Sequence, residues 1–347
     1  MKNLIVKVPN MKTLIKPAPG FMKKDLADYK LDIAALCGFG CLYCSSNMGN
    51  YLRINQNEFL KSTVAQTGKS AKPSEDPSLM FVWPDVVSQL EAELKSKPKS
   101  YGKGKTIIFS MLTDGFSPYL VKEGITKQIL ELMVEKTSFR IRVLTKNATV
   151  GSKTWVKFFA KHKDRFVVGL STGSLDDAWS KKLELGTSKP SARFKALHNL
   201  QEAGVPTFGM LCPVFPDMMQ DGSLEKMVDQ LNPEIVEHIW AEPYNDRINW
   251  RIVRDSYPIN SETYKWFTKV FGSGRNDIWS TYSTELYTRL KKHAKKNGWL
   301  SKLKYLLYED QITSNDARHF RGLRGVLLQS KPGDDGKSQN TDFARLQ

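Results

Sequence analysis

Residues 31–44 read Leu31-Asp32-Ile33-Ala34-Ala35-Leu36-Cys37-Gly38-Phe39-Gly40-Cys41-Leu42-Tyr43-Cys44. The first six, apolar but for Asp32, predict a short strand that runs straight into a turn carrying three thiols. Gly38 and Gly40 let such a turn fold tightly and offer its amides to sulfur. Three thiolates from one loop can hold three corners of a soft-metal cluster. Four readings compete. A structural zinc site uses four ligands in paired knuckles, but there is no second cysteine pair and no histidine before His162. A plant-type ferredoxin cluster has a longer first gap and needs a fourth cysteine, for which only Cys212 is available. A [4Fe–4S] cluster with three protein ligands leaves one iron open. Three unrelated buried cysteines are the bland alternative.

Downstream the apolar pattern alternates. Strands are expected over 106–112, 139–144, 166–170, 205–211 and 235–241. Helices are expected over 85–97, 125–134, 155–160, 192–203 and 224–231. With the first strand, six strands alternate with helices, which predicts an α/β fold with a parallel sheet. Six units are too few for a closed eight-unit barrel and suit an open, partial (β/α)6 TIM-like barrel. The expected division is a basic, irregular lead-in over 1–29, the partial barrel over 30–245, a mostly helical C-terminal extension over 246–328, and a flexible tail over 329–347.

The 347 residues carry 52 Lys and Arg against 36 Asp and Glu, a net charge of +16. The excess lies in 1–30, 101–172 and 241–347, whereas 173–240 is acidic. Such a balance favours a polyanion such as nucleic acid, with a merely solvated basic surface as the alternative. Aromatics interleave with basic residues at Trp250-Arg251 and Tyr264-Lys265-Trp266, which suits phosphate contact plus base stacking and equally suits helix packing. At 40% hydrophobic and 25% charged residues, the composition is that of a globular protein and excludes disorder of the whole chain. No run approaches the ~20 apolar residues of a membrane span. The first residues do not read as a signal peptide, and four cysteines exclude a disulfide scaffold, so the expected compartment is the cytoplasm.

The C-x3-C-x2-C spacing, with Tyr43 before the last cysteine, resembles the radical S-adenosylmethionine (SAM) superfamily. The resemblance implies a [4Fe–4S] cluster on Cys37, Cys41 and Cys44 and SAM on the open iron. It further implies reductive cleavage of SAM to a 5′-deoxyadenosyl radical that abstracts hydrogen from a substrate. Tyr43 would lie at the cofactor. Thr113-Asp114, followed by Pro118 and Tyr119, looks like the branch containing spore photoproduct lyase and DNA-repair-photolyase-like proteins; the alternative for this pair is a turn or cap. In that branch Lys146, in Leu144-Thr145-Lys146-Asn147, would approach the SAM carboxylate. Ser171 would bond the SAM amino acid moiety, Glu184 its ribose or amino group, and Arg193 its carboxylate or Glu184 itself. A purely structural Glu184–Arg193 ion pair is the plain alternative. Glu242 and Asn245 would sit at the same mouth.

Cys212 is a possible hydrogen-atom donor, though the branch's donor cysteine belongs near the end of the second strand, where this chain has Leu112. The resemblance covers roughly 30–245. It implies an enzyme acting on nucleic acid, in repair or modification, served by a reducing donor such as flavodoxin or ferredoxin. The alternatives are a radical SAM enzyme acting on a peptide or small molecule, and a non-enzymatic basic iron–sulfur protein that binds nucleic acid. The absence of cysteine beyond 212 argues against the auxiliary clusters of peptide-modifying members.

Overall fold

The computed structural model describes residues 3–73 and 75–329. In chain order the strands are β1 Leu4–Lys7, β2 Ile15–Pro17, β3 Tyr29–Leu31, β4 Leu79–Val82, β5 Thr106–Phe109, β6 Arg140–Thr145, β7 Phe166–Ser171, β8 Thr207–Val214, β9 Ile239–Pro243, β10 Leu303–Tyr308 and β11 Val326–Gln329. Nine of them form one sheet in the order β11-β10-β9-β8-β7-β6-β5-β3-β2. From β3 to β11 every pairing is parallel, and each crossover carries at least one helix. β2 and β11 stand at opposite edges, so the barrel is open.

Five of the six expected strands are present in the expected order, and the first, expected over 31–36, lies at Tyr29–Leu31 and shares only Leu31 with the expectation. Three expectations are corrected. The lead-in is not irregular: β1 pairs in parallel with β4 in a separate two-stranded sheet, and β2 lies antiparallel on β3 and covers its edge. The C-terminal extension is not only helical, because β10 and β11 continue the parallel sheet. The first strand ends at Leu31 rather than Leu36. Beyond it the chain leaves the large sheet, and Ala35 and Leu36 donate to Phe81 O at 2.9 and 3.0 Å. Of the expected tail, Gln329 closes β11; residues 330–347 lie outside the described residues.

Alternation along the strands sends one set of side chains to each face. Val168, Leu211, Ile239, Leu307 and Leu328 join the large core under the helices, whereas Val167, Phe208, Trp240, Leu306 and Leu327 pack on the inner face. The lead-in fills that inner space. Trp240 Nε1 donates to Lys24 O at 2.9 Å, and buried Arg142 donates to Asp25 O at 3.0 Å and to Leu26 O. Lys304 Nζ is 3.2 Å from Asp25. With the lumen filled there, the free space of the barrel is left at the C-terminal ends of the strands, where the three thiols lie. No helix of the described residues is long and apolar enough to cross a membrane.

Candidate functional site

The cysteine loop owes its shape to its glycines. Gly38 and Gly40 have φ of +67° and +63°, a region that costs a side chain strain. A Cβ on Gly40 would stand 2.7 Å from Pro77 Cβ, and one on Gly38 2.9 Å from Met80 Cβ. Backbone bonds strap the loop to the segment after β7: Leu42 N donates to Leu183 O at 2.9 Å, Gly186 N to Phe39 O at 2.8 Å, and Cys41 bridges Glu184. From the other side Asn249 Nδ2 donates to Leu42 O at 2.8 Å. With its amide oxygen turned inward, Asn47 accepts from Gly40 N at 3.1 Å and Cys41 N at 3.2 Å.

Cys37 and Cys41 are buried, Cys44 is half-buried, and all are free thiols. Burial, with the charge of Cys44 and of Asp114, pushes the Cys37 thiol up to about 12. Burial and the Glu184 charge push Cys41 well above its ordinary value. All three line one cavity of about 180 Å³, whose lining also includes Lys146, Ser171, Met210 and Cys212. Among the described residues no three His, Cys, Asp or Glu side chains converge as a single metal ion would require. The thiols instead ring a space.

Each strand end adds a group. After β5, Asp114 accepts from Thr145 Oγ1 at 2.8 Å, Lys146 N at 2.8 Å and Phe116 N at 2.9 Å. It thereby locks the end of β5 to the end of β6. Burial raises its pKa despite those bonds. Thr113 lines the same wall, its hydroxyl 3.4 Å from Asp32. Lys146 Nζ donates to Ser171 Oγ at 2.6 Å and stands 3.7 Å from Glu184 Oε1. Cys212 ends the ring on β8. Its thiol is pushed well above the ordinary value by burial and by the Glu242 charge.

Four expected site residues, Glu184, Arg193, Glu242 and Asn245, stand apart from the cavity wall, and Asn245 instead accepts from Gln311 Nε2. Glu184 and Arg193 are each 1% exposed and bonded to one another. Arg193 also donates to Ser171 O at 2.9 Å, Ser188 O at 2.7 Å and Thr187 Oγ1 at 2.7 Å. Tyr43 Oη donates to the other Glu184 oxygen. Burial pulls the Glu184 pKa up, but the Arg193 and Lys146 charges hold it below the usual range. Of the partners expected for Arg193, the one it holds here is Glu184. Glu242 is half-buried, 3.7 Å from Arg247.

The residue that sequence reasoning missed is Ser110. It follows β5 with φ of +58°, it lines the cavity, and it is 1% exposed with a hydroxyl that has no partner. A buried hydroxyl left unpaired beside a cavity is a group waiting for a polar ligand. Nothing in the sequence distinguished it from a strand-end serine.

No family model matches the chain. An uncharacterised protein, ORF301, of Acidianus two-tailed virus is 22% identical over 279 residues, which covers 74% of this chain and 86% of that one. Among solved structures, a spore photoproduct lyase double mutant with bound AdoMet and dinucleoside spore photoproduct superposes with a TM-score of 0.44 at 15% identity. That match covers 74% of this chain but only 66% of the lyase, just under two thirds of its length. The structure of anSMEcpe with bound AdoMet gives 0.43 at 15% identity, over 78% of this chain and 59% of that one.

Proposed function

We propose that the chain is a radical SAM enzyme. Cys37, Cys41 and Cys44 would hold a [4Fe–4S] cluster, and SAM would occupy the cavity beside them. The observation that carries this reading is the cavity itself: three unpaired thiols on one loop open onto a space that also presents an unpartnered buried hydroxyl, Ser110 Oγ, and a lysine, Lys146. The donor set fits the group, since soft thiolates suit iron–sulfur clusters and three ligands leave a coordination position for a substrate. When bound, the cluster supplies an electron that cleaves the S–C5′ bond of SAM.

The chain's own residues bind, orient and enclose. Lys146, steadied by Ser171 Oγ, offers a positive charge to a carboxylate. Ser110 Oγ and Thr113 offer hydroxyls from the lining of the same cavity. Asp114, Tyr43, Glu184 and Arg193 act through others: Asp114 fixes the Lys146 backbone, and the Tyr43–Glu184–Arg193 chain ties the thiol loop to the end of β7. Phe39, Met111, Leu144 and Met210 supply an apolar lining that keeps water from a reactive intermediate. Cys212 is the one further thiol in the cavity wall.

The substrate in this reading is nucleic acid, supported by the net charge of +16 and its concentration in 1–30, 101–172 and 241–347. The electron donor is a low-potential carrier of the flavodoxin or ferredoxin kind, and the setting is the cytoplasm. After anaerobic reconstitution with iron and sulfide, dithionite plus SAM should yield 5′-deoxyadenosine. An iron-loaded chain that yields none overturns the reading.

A further inference from the structure

A second cavity, of about 120 Å³, lies behind the wall of the first, and Leu112 and Thr113 line both. Two lysines define it. Lys16 on β2 and Lys30 on β3 are direct partners in the antiparallel register. Like charges directly opposite one another destabilise a strand pair. Neither ammonium forms an ion pair with another described residue, and Lys16 Nζ has the Met11 sulfur at 3.7 Å. The cavity's own carboxylate, Asp32, accepts from Leu112 N at 3.1 Å and Thr113 Oγ1 at 3.4 Å, and the Lys30 charge acts on it from beyond ion-pair distance. Two aromatic residues, Tyr51 and Trp83, are also in the lining, beside the apolar Met11, Leu14, Ala34 and Ala35.

We propose that this cavity takes one nucleotide unit of a nucleic-acid strand, with its phosphate between Lys16 and Lys30 and its base against Tyr51 and Trp83. That occupant rests on the nucleic-acid reading of the substrate. The like-charge pair is a cost that an anion removes, and the aromatic rings select a planar ligand over a bare phosphate or an acidic side chain. The nucleotide beside it would stand at the thiol cavity. Asp32 links the two spaces, because it holds the backbone of the wall that both share. Filling the outer cavity therefore steadies the inner one.

Fluorescence anisotropy with a labelled single-stranded oligodeoxynucleotide of eight thymidines, over a series of salt concentrations, tests this on the full chain. Lys16→Gln with Lys30→Gln should lower affinity about tenfold or more at low salt. It should also reduce the slope of log K against log salt by about 0.7 for the lost phosphate contact. The double variant should keep the wild-type circular dichroism spectrum, so that the lost affinity reports the phosphate contact, whereas lysines needed only for the fold would leave the salt slope unchanged on removal. Tyr51→Ala should weaken binding with the salt slope unchanged.

Affinity within twofold of wild type and an unchanged slope in the folded lysine variant overturns the proposal. Thymidine monophosphate binding as tightly as the oligonucleotide also overturns it, since the site would then serve a free nucleotide. If wild type binds no oligonucleotide yet still makes 5′-deoxyadenosine with dithionite, the site and the nucleic-acid reading fail together while the SAM chemistry stands.

Discussion

Arg193→Met and Glu184→Leu probe what holds the thiol loop in place, and they should differ in cost. Removing one member of a buried ion pair costs about 3–5 kcal/mol, because the other is left charged in a low dielectric. In Arg193→Met, Glu184 keeps the Tyr43 hydroxyl and the Lys146 ammonium at 3.7 Å, so the loss should fall near ~3 kcal/mol. In Glu184→Leu, the Arg193 guanidinium keeps only neutral partners, the Ser171 and Ser188 carbonyls and the Thr187 hydroxyl, and shares its region with an unopposed Lys146. That loss should approach ~5 kcal/mol. Set against a domain stability of about 5–15 kcal/mol, either variant gives up a large part of the fold's margin. The double variant leaves neither charge stranded, so its cost should fall short of the sum by about 2–3 kcal/mol. Urea unfolding midpoints at constant m measure all three. The Glu184 backbone bridges Cys41, so iron bound per chain after reconstitution should fall in the same order. Single costs that add to within ~0.5 kcal/mol, or two equal single costs, would refute the reasoning.

Other consequences are as specific. Burial pushes the Asp217 carboxyl up to about 6, with a Tyr257 hydroxyl 3.4 Å away opposing the shift. A raised folded-state pKa means stability is fully present below about pH 4 and lost as pH rises to about 6, by up to about 3 kcal/mol. Asp217→Asn should therefore gain on wild type across that window and hold the gain above it; a pH-independent difference in urea midpoint contradicts the assignment. Gly40→Ala should lower the melting temperature by several degrees and lower iron uptake, because its left-handed backbone sits against Pro77. Gly68→Ala, equally left-handed but with nothing within 4 Å of the new Cβ, should cost only about 1 kcal/mol and leave iron uptake unchanged. Cys212→Ala should leave iron per chain at the wild-type level, since three thiols carry the cluster; a loss comparable to Cys41→Ala would make Cys212 a fourth ligand.

Legibility followed the physics of each segment. The runs 166–170 and 205–211 are apolar on both faces, as strands of a helix-covered parallel sheet must be, and they read directly as strands. Leu303–Tyr308 did not, because Lys304 interrupts its apolar run; only the fold reveals that its ammonium meets Asp25 from the lead-in. The helix Asn50–Thr67 was overlooked for a similar reason, since it buries little beyond Leu52, Phe59 and Thr63 along a mostly polar sequence. The lead-in strands β1 and β2 are four and three residues long and separated by a segment holding Pro9, too short for periodicity to register. At the site, local spacing announced the thiols and placed Lys146 and Ser171 at strand ends. The ion pair that occupies Glu184 and Arg193, the unpartnered Ser110 hydroxyl and the opposed Lys16 and Lys30 depend on register and burial, which belong to the assembled sheet.

The central claim is a cluster with one iron left free for SAM on Cys37, Cys41 and Cys44. Electron paramagnetic resonance of the dithionite-reduced, reconstituted chain, recorded before and after SAM is added, addresses it most directly. The account predicts about four irons per chain, a reduced-cluster signal that shifts when SAM binds the open iron, and loss of that signal in Cys37→Ala, Cys41→Ala and Cys44→Ala. A reduced-cluster signal indifferent to SAM, or one that survives in Cys41→Ala, would contradict it.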